Sequence, residues 1–260
     1  MEEVVHIIPL GYEFDRVVKP FQGEGGFRPN RVYLLSTIPP VKASKEVLDK
    51  HDKYTQKVKK ELEKLNIKVI LKPTNLIDIL ELIQKISKIV FDEKSKGNHL
   101  YINMSGAGRL TSVASTLSGM VHDVKVYYVN SNGYADEDPR MDDHGYTIIE
   151  DSPKIKWLEN FQINIPDKLQ LKALVKIWKD EHVRTIDLIE CLGNEGFEDF
   201  SVDYYTLDRS EKSAVIMRLN RNVIDKLTKK GYINKKKIGR ENEYKITETG
   251  KYIVSISGFI

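Results

Sequence analysis

The chain has 260 residues, which suits two domains better than one. With 30% charged and 40% hydrophobic residues, the sequence predicts a folded, soluble protein. No apolar run approaches the roughly 20 residues of a membrane span, and the N-terminus lacks the features of a secretory signal. The single cysteine, Cys191, excludes an internal disulfide and a multi-cysteine zinc site. We therefore expect a cytoplasmic protein with no membrane partner, metal or cofactor.

Basic charge is concentrated in the C-terminal part of the chain. Residues 1–166 carry 23 basic and 23 acidic side chains, whereas residues 209–245 carry 12 basic and 4 acidic ones. Just before them, residues 195–208 hold five acids and no base. A basic segment in an otherwise balanced chain indicates a surface for a polyanion, although a solvated helix and hairpin would give the same composition.

Strands and helices alternate along residues 1–150. Short runs of β-forming residues predict strands at 4–8, 31–37, 68–72, 99–104, 124–129 and 146–149. Apolar residues at helical spacing predict helices at 44–66, 76–91 and 109–120. This alternation is typical of an α/β domain with a Rossmann-like, doubly wound, mostly parallel sheet.

The loops at the carboxyl ends of these strands form the candidate ligand site, because ligands bind there in such sheets. Residues 9–16, 36–39 and 103–111 fall at this edge. The last segment places Ser105-Gly106-Ala107-Gly108 before a helix that opens at Arg109. Glycines allow close backbone approach, and a helix N-terminus with an arginine suits an anion. The glycines follow the fourth strand, so this is neither a dinucleotide fingerprint nor a Walker loop, and a simple packing turn is the alternative.

The C-terminal part has the element order of a winged helix-turn-helix. Helices are predicted at 168–180, at 185–192 and from Ser210 or Ser213 to residue 230, followed by a hairpin with a basic tip. We therefore divide the chain into a sensing domain (1–150), a linker (151–166) and a DNA-binding domain (167–260), with Trp157 and Phe161 of the linker packing the two domains together. The predicted DNA contacts are Ser213, Arg218, Asn220, Arg221 and Asn222 of the third helix, and Lys235, Lys236, Lys237 and Arg240 of the wing.

Several motifs resemble known families. The run M-R-L-N-R-N-V-I-D-K-L at 217–227 and the ending at 244–250 resemble MarR-like winged-helix regulators. Together with N-M-S-G-A-G-R at 103–109 and H-I-I-P-L-G-Y-E-F-D-R at 6–16, the whole chain resembles the archaeal CARF–HTH regulators, where CARF is the CRISPR-associated Rossmann fold. The usual Thr-Gly-Gly-type turn with a nearby lysine is replaced here by Ser105 to Arg109.

The resemblance implies a homodimer whose paired Rossmann domains bind a cyclic oligoadenylate, often cyclic tetra-adenylate, in a two-fold pocket. Adding the end of the second strand to the loops that the family uses gives these ligand residues: Gly11, Tyr12, Glu13, Phe14, Asp15, Thr37, Asn103, Met104, Ser105, Gly106, Ala107, Gly108 and Arg109.

The expected function is a ligand-responsive transcriptional regulator that binds double-stranded DNA, in a CRISPR-associated antiviral setting. One alternative is a metal-independent ring nuclease, for which Arg109 and Ser105 are the candidate catalytic residues and the winged helix is a dimerisation or partner module. The other alternative is a regulator that senses a different nucleotide. The acidic residues 195–208 are either a surface insertion or a flap that restrains DNA approach.

Overall fold

The computed structural model describes residues 2–23, 28–37, 45–135, 138–180, 183–239 and 241–260. The chain divides into two compact units, Met1–Ile163 and Asn164–Ile260. Within the described ranges, no helix combines the length and the apolar character that a membrane crossing requires. Ser44, predicted to begin a helix, and Pro39 of the second-strand loop lie outside these ranges.

The first unit is built around a six-stranded sheet. Its elements are β1 (Val4–Leu10), α1 (Phe14–Val18), β2 (Arg31–Thr37), α2 (Lys45–Lys64), β3 (Lys68–Thr74), α3 (Ile79–Lys94), β4 (His99–Asn103), α4 (Arg109–His122), β5 (Lys125–Asn130), β6 (Gly133–Tyr134), α5 (Asp138–His144), β7 (Thr147–Ile148) and β8 (Lys154–Trp157). The strand order is β3-β2-β1-β4-β5-β8, with only the β5–β8 pairing antiparallel. The predicted doubly wound, mostly parallel sheet is confirmed.

The central strands are apolar throughout because helices cover both faces of the sheet. Every residue of β1 from Val5 to Leu10 is buried. Val17 of α1 and Val58 of α2 pack on one face of the sheet. The helices α3 and α4 pack against each other, and the usual right-handed crossover rule assigns them to the other face.

The sixth strand of the sheet differs from the prediction. The predicted strand at 146–149 is only the two-residue β7, which pairs with β6 in a separate ribbon. Just after β7, the backbone no longer bonds to a strand: the amide of Ile149 donates to the carboxylate of Asp15 at 2.9 Å. The sixth position is taken by β8, which lies in the predicted linker. Trp157 of β8 packs against Tyr101 and Tyr127 of its own unit, with ring centroids 5.7 Å apart in both pairs.

Both edges of the sheet carry charged residues or proline. The edge strand β3 contains Lys68, Lys72 and Pro73. The opposite edge strand, β8, alternates Lys154 and Lys156 with apolar residues. Lysine and proline on an edge discourage pairing with further strands.

The second unit has two helices, a third helix in which a π-helical turn joins two α-helical parts without a break, then a hairpin and a terminal helix. Its elements are α6 (Lys168–Lys179), β9 (Val183–Arg184), α7 (Thr185–Asn194), α8 (Arg209–Leu219), a π-helical turn (Asn220–Ile224), α9 (Asp225–Lys229), β10 (Ile233–Ile238), β11 (Glu241–Ile246) and α10 (Glu248–Ser257). The three strands form an antiparallel sheet in the order β10-β11-β9. The predicted winged-helix order is confirmed. The sequence prediction missed β9, which is two residues long, and left α10 unassigned, although Thr247 caps it by accepting a hydrogen bond from the Gly250 amide.

Candidate ligand site and nucleic-acid interface

The candidate crevice is the place where β1 and β4 end side by side and their loops meet. These strands are neighbours in the sheet although β2 and β3 separate them in sequence, so the chain direction across the sheet reverses here. The amide of Gly11 donates to the carbonyl of Gly106 at 2.7 Å. A Cβ on Gly106 would lie 2.5 Å from the carbonyl oxygen of Pro9. Glycine at position 106 therefore lets the two loops touch.

Hydrogen bonds of Asn103 and Ser105 connect these loops to each other and to β5. Both are buried. The Oδ1 of Asn103 accepts hydrogen bonds from the amide (2.9 Å) and Oγ (2.6 Å) of Ser105, and its Nδ2 donates to the carbonyl of Arg16 at 3.0 Å. Ser105 Oγ also accepts from the Val129 amide at 3.1 Å. The hydroxyl of Ser105 is thus committed to internal hydrogen bonds, which argues against the catalytic role considered for it.

The N-terminus of α4 directly follows the glycine turn and has no side-chain cap. Gly108 is its N-cap and offers no side chain to the first amides of the helix. Ser112 Oγ donates to the carbonyl of Met104 at 2.8 Å, so it caps none of these amides. Arg109 is exposed and forms no ion pair within the described ranges. Free amides, the positive end of the helix dipole and an unpaired guanidinium together suit an anionic ligand.

The acidic residues of the β1 loop face inward. Asp15 is buried, and its Oδ2 contacts Lys19 at 2.9 Å and His144 at 3.0 Å in addition to the Ile149 amide. Glu13 accepts a hydrogen bond from the Thr147 hydroxyl, and burial raises the pKa of its carboxyl. These side chains fasten residues 144–149 to the loop and do not present charge to the crevice.

The remaining predicted ligand residues lie around the crevice edge. The half-buried Met104 and Ala107 belong to the turn before α4. The ring of Tyr12 lines a cavity beside α2, and Phe14 lies under Lys57, whose Nζ is 4.9 Å from the ring centroid. Thr37 ends β2 one strand farther along, in register with Thr74. The described residues contain no cluster of three or more metal-ligating side chains.

The exposed side of α8 is the candidate recognition surface. Asp208 begins the helix with a capping box, accepting from the Glu211 amide at 2.8 Å. The predicted contacts Ser213 and Arg221 are exposed. Arg209 and Met217, which the prediction omitted, lie at four-residue spacing on the same side and are also exposed. Arg209 and Met217 could have been found from the sequence, because each lies four residues from Ser213.

The acidic segment, residues 195–208, lies along the flank of α8. Arg218 Nη1 donates to the carbonyl of Asp199 at 2.9 Å and lies 3.3 Å from its carboxylate. The Nζ of Lys212 lies 5.6 Å from the ring centroid of Tyr204. Phe200 is buried and fixes the segment to the core. Arg218 is therefore partly occupied by an internal acidic partner.

The predicted contacts Asn220 and Asn222 lie in the π-helical turn and are half-buried. The carbonyl of Asn222 accepts from Gln170 Nε2 at 3.3 Å, and its Oδ1 accepts from Arg221 Nε at 3.4 Å. The turn thus connects the candidate recognition helix to α6. π-helical turns inside helices are frequent at functional sites.

The wing lysines are not equivalent. In the hairpin register, Lys236 stands opposite Glu243, whereas Lys235 stands opposite Tyr244 and Lys237 opposite Asn242. Because side chains alternate across a strand, Lys235 and Lys237 share one face and Lys236 lies on the other. Arg240 lies outside the described residues.

Fold and site together define a class of protein: a Rossmann-like α/β domain followed by a winged-helix domain. The family model described as HFX_2341_N-like, N-terminal, matches residues 4–134, just over half of the chain. The chain belongs to this family. A second model, the DUF6293 C-terminal winged helix domain, matches residues 169–258. No curated protein matches the sequence.

Three solved structures are similar to the chain. Can2 from Sulfobacillus thermosulfidooxidans, in complex with cyclic tetra-adenylate, is 14% identical with a TM-score of 0.41 over 98% of this chain and 62% of its own. Enterococcus italicus Csm6, bound to cyclic hexa-2'-fluoro-hexa-dAMP, is 16% identical with a TM-score of 0.37 over 52% and 35%. Protein VC1899 from Vibrio cholerae is 10% identical with a TM-score of 0.43 over 97% and 64%. The chain thus spans less than two thirds of each of these proteins.

Proposed function

We propose that this protein is a homodimeric, ligand-responsive transcriptional regulator that senses cyclic tetra-adenylate at paired crevices and binds double-stranded DNA through its winged helix. The observation that carries the proposal is the open N-terminus of α4, with Arg109 unpaired within the described residues, at the reversal point of the sheet. The same chain carries a basic winged helix. A phosphate-bearing ligand and a polyanionic partner thus each have a matching surface.

The crevice favours a ligand with phosphates and two-fold symmetry. Backbone amides of α4 and the guanidinium of Arg109 would bind phosphate oxygens, while glycine at position 106 lets the β1 and β4 loops pack against each other. A cyclic tetranucleotide has a symmetry that a two-fold dimer can match, because each subunit then supplies the same contacts.

An exposed apolar strip supports dimerisation next to this site. Leu110 and Val113, three residues apart on α4, have exposed fractions of 46% and 48%. Side chains at this spacing share one helix face. We propose that this face pairs with the same face of a second copy, which brings two crevices together.

A thermal-shift panel tests the sensor half. We expect cyclic tetra-adenylate to raise the melting temperature, since a ligand that binds only the native state stabilises it by RT ln(1 + [L]/Kd). Linear oligoadenylates and cyclic dinucleotides are expected to give smaller shifts. Arg109→Ala should abolish most of the shift, and Lys125→Ala, an exposed basic residue at the start of β5, is the control. No shift with any cyclic oligoadenylate would refute the sensor assignment.

Incubation of the protein with cyclic tetra-adenylate distinguishes a regulator from a ring nuclease. Ser105 Oγ is committed to Asn103 and Val129, so no serine hydroxyl at that position is free for proton transfer. We expect cyclic tetra-adenylate to be recovered intact by chromatography after prolonged incubation with excess protein. Conversion to linear products, lost in Arg109→Ala, would favour the nuclease.

A further inference from the structure

A cavity of about 810 Å³ opens between α2 and α5 of the first unit. This volume is within the range of small-molecule sites. Three tyrosines line it, Tyr12, Tyr54 and Tyr146, together with Lys50 and Lys53 of α2. The cavity therefore combines aromatic rings with both basic and acidic groups, beside the loop that forms one edge of the crevice. Its carboxylates come from Glu46, Asp49, Asp142 and Asp143.

The three rings form a fixed aromatic wall. The centroids of Tyr12 and Tyr54 are 4.9 Å apart, and those of Tyr12 and Tyr146 are 5.7 Å apart with the rings at 68°. The Tyr146 amide donates to the carbonyl of Tyr12 at 2.7 Å, which sets the position of both residues. Tyr54 is buried, whereas half of Tyr146 is exposed. Tyr146 thus offers a ring face on which a planar base can stack.

The charged groups around this wall include two uncommitted lysines. Lys57 is engaged, with Nζ 3.6 Å from the carboxylate of Asp143. Lys50 and Lys53 are exposed and form no ion pair with other described residues. Asp142 lies on the opposite wall, with its side chain exposed. Ammonium groups bind phosphate, and a carboxylate accepts hydrogen bonds from an amino group.

We propose that this cavity is a second ligand site that binds a purine nucleotide. The base stacks on Tyr146, its exocyclic amine donates to the carboxylate of Asp142, and the phosphate binds Lys50 and Lys53. The site is separate from the crevice of the proposed function, where Arg109 and the α4 amides bind the anion. It needs neither a cyclic ligand nor a second subunit.

Isothermal titration of the full-length protein with adenosine 5'-monophosphate tests the site. We expect saturable binding that weakens about five-fold or more in Tyr146→Leu, because each base–aromatic stack contributes at least that factor. Adenosine and ribose 5-phosphate, which lack the phosphate and the base respectively, should each bind more weakly than the nucleotide.

Two further variants separate this site from the crevice. Lys53→Ala should weaken nucleotide binding, whereas Lys60→Ala, an exposed lysine on α2 that does not line the cavity, should leave it unchanged. Binding retained in Arg109→Ala supports the second site even if cyclic tetra-adenylate does not bind the protein. Absence of nucleotide binding would overturn the proposal, as would binding lost in Arg109→Ala but kept in Tyr146→Leu, or equal affinity for ribose 5-phosphate.

Discussion

The buried carboxylate of Glu93 accepts four hydrogen bonds from side chains. Its oxygens accept from Tyr33 (2.8 Å), Lys96 (2.9 Å), Asn98 (2.6 Å) and Arg31 (2.6 Å). Burial alone would raise the pKa of this carboxyl, but the hydrogen bonds and the arginine charge outweigh it and lower the pKa to about 2. The ionised group thus ties the end of α3 to β2.

We expect Glu93→Gln to lower the free energy of unfolding at pH 7 by about 2 kcal/mol, the scale of a charge-assisted hydrogen bond. Since the folded-state pKa lies below the ordinary 4.5, the contribution is complete above pH 4.5 and is lost as the pH falls toward 2. Urea unfolding at several pH values measures this, and the two proteins should converge in acid. Burial lowers the pKa of His6 to about 3, but that effect is common to both proteins and cancels in the difference.

Gly106 and Gly108 give a matched pair of substitutions. We expect Gly106→Ala to cost about 1–3 kcal/mol and to remove ligand-induced stabilisation, because its Cβ would lie 2.5 Å from the carbonyl oxygen of Pro9. A Cβ at position 108 would have no neighbour within 4 Å, and Gly108 has a φ of −71°. Gly108→Ala should therefore lower the free energy of unfolding by less than about 1 kcal/mol. Unfolding and thermal-shift measurements on both variants check this, and equal effects would contradict the assigned role of Gly106.

At the residue scale, the sequence shows which candidate site residues are adjacent but not which distant residues they contact. The glycine turn and Arg109 are consecutive, so their proximity is visible in the sequence. The inward use of Asp15 is not, because its partners His144 and Ile149 are more than 120 positions away. Partners this distant become neighbours only through the tertiary fold.

The two faces of the wing lead to different predictions for its lysines. Lys235 and Lys237 face away from acidic groups in the hairpin register, whereas Lys236 stands opposite Glu243. We expect Lys235→Ala and Lys237→Ala each to reduce the slope of log affinity against log salt by about 0.9, the value for one phosphate contact. Lys236→Ala is the matched control and should leave the slope nearly unchanged. DNA titrations at several salt concentrations would contradict this arrangement if all three variants behaved alike.

For the acidic segment, we predict a substitution that strengthens DNA binding, whereas the wing substitutions weaken it. Asp199→Asn should remove the ion pair with Arg218, although the hydrogen bond from Arg218 to the Asp199 carbonyl remains. DNA affinity should then rise about two- to five-fold, the scale of one exposed ion pair. Fluorescence anisotropy with a short duplex measures the change. Glu198→Gln removes the same charge from the same segment, and Glu198 forms no ion pair with α8 within the described residues, so it should have the smaller effect. Unchanged or weaker binding in Asp199→Asn would support the simpler interpretation of a surface insertion.

Elements with strong apolar patterns were predictable, and weakly patterned ones were not. Buried parallel strands such as β1 are continuous apolar runs, which the sequence shows directly. The strand β8 alternates lysine with Ile155 and Trp157 over only four residues, so it was assigned to a linker. Its place is decided by pairing with β5, an interaction that local periodicity does not record.

The whole molecule is proposed to act as a dimer, and the α4 strip can be tested directly. We expect Val113→Glu to convert the protein to a monomer in light-scattering chromatography and to reduce ligand-induced stabilisation. The reason is that a charge would then have to be buried in the interface. Ile77→Glu changes another exposed apolar residue, 78% exposed, and should leave the mass unchanged. A Val113→Glu protein with wild-type mass and ligand response would exclude this face.

The lysines and proline on the outer strands of the sheet restrict how copies of the protein can associate. Strand addition at β3 would bring Lys68 and Lys72 beside the incoming chain, and Pro73 has no amide to donate. At β8, two copies meeting edge to edge would face Lys154 and Lys156 of each other. A continuous sheet running through two or more molecules is therefore disfavoured at both ends. Growth into filaments by strand addition is opposed in the same way, which is consistent with the proposed pairing through the exposed face of α4.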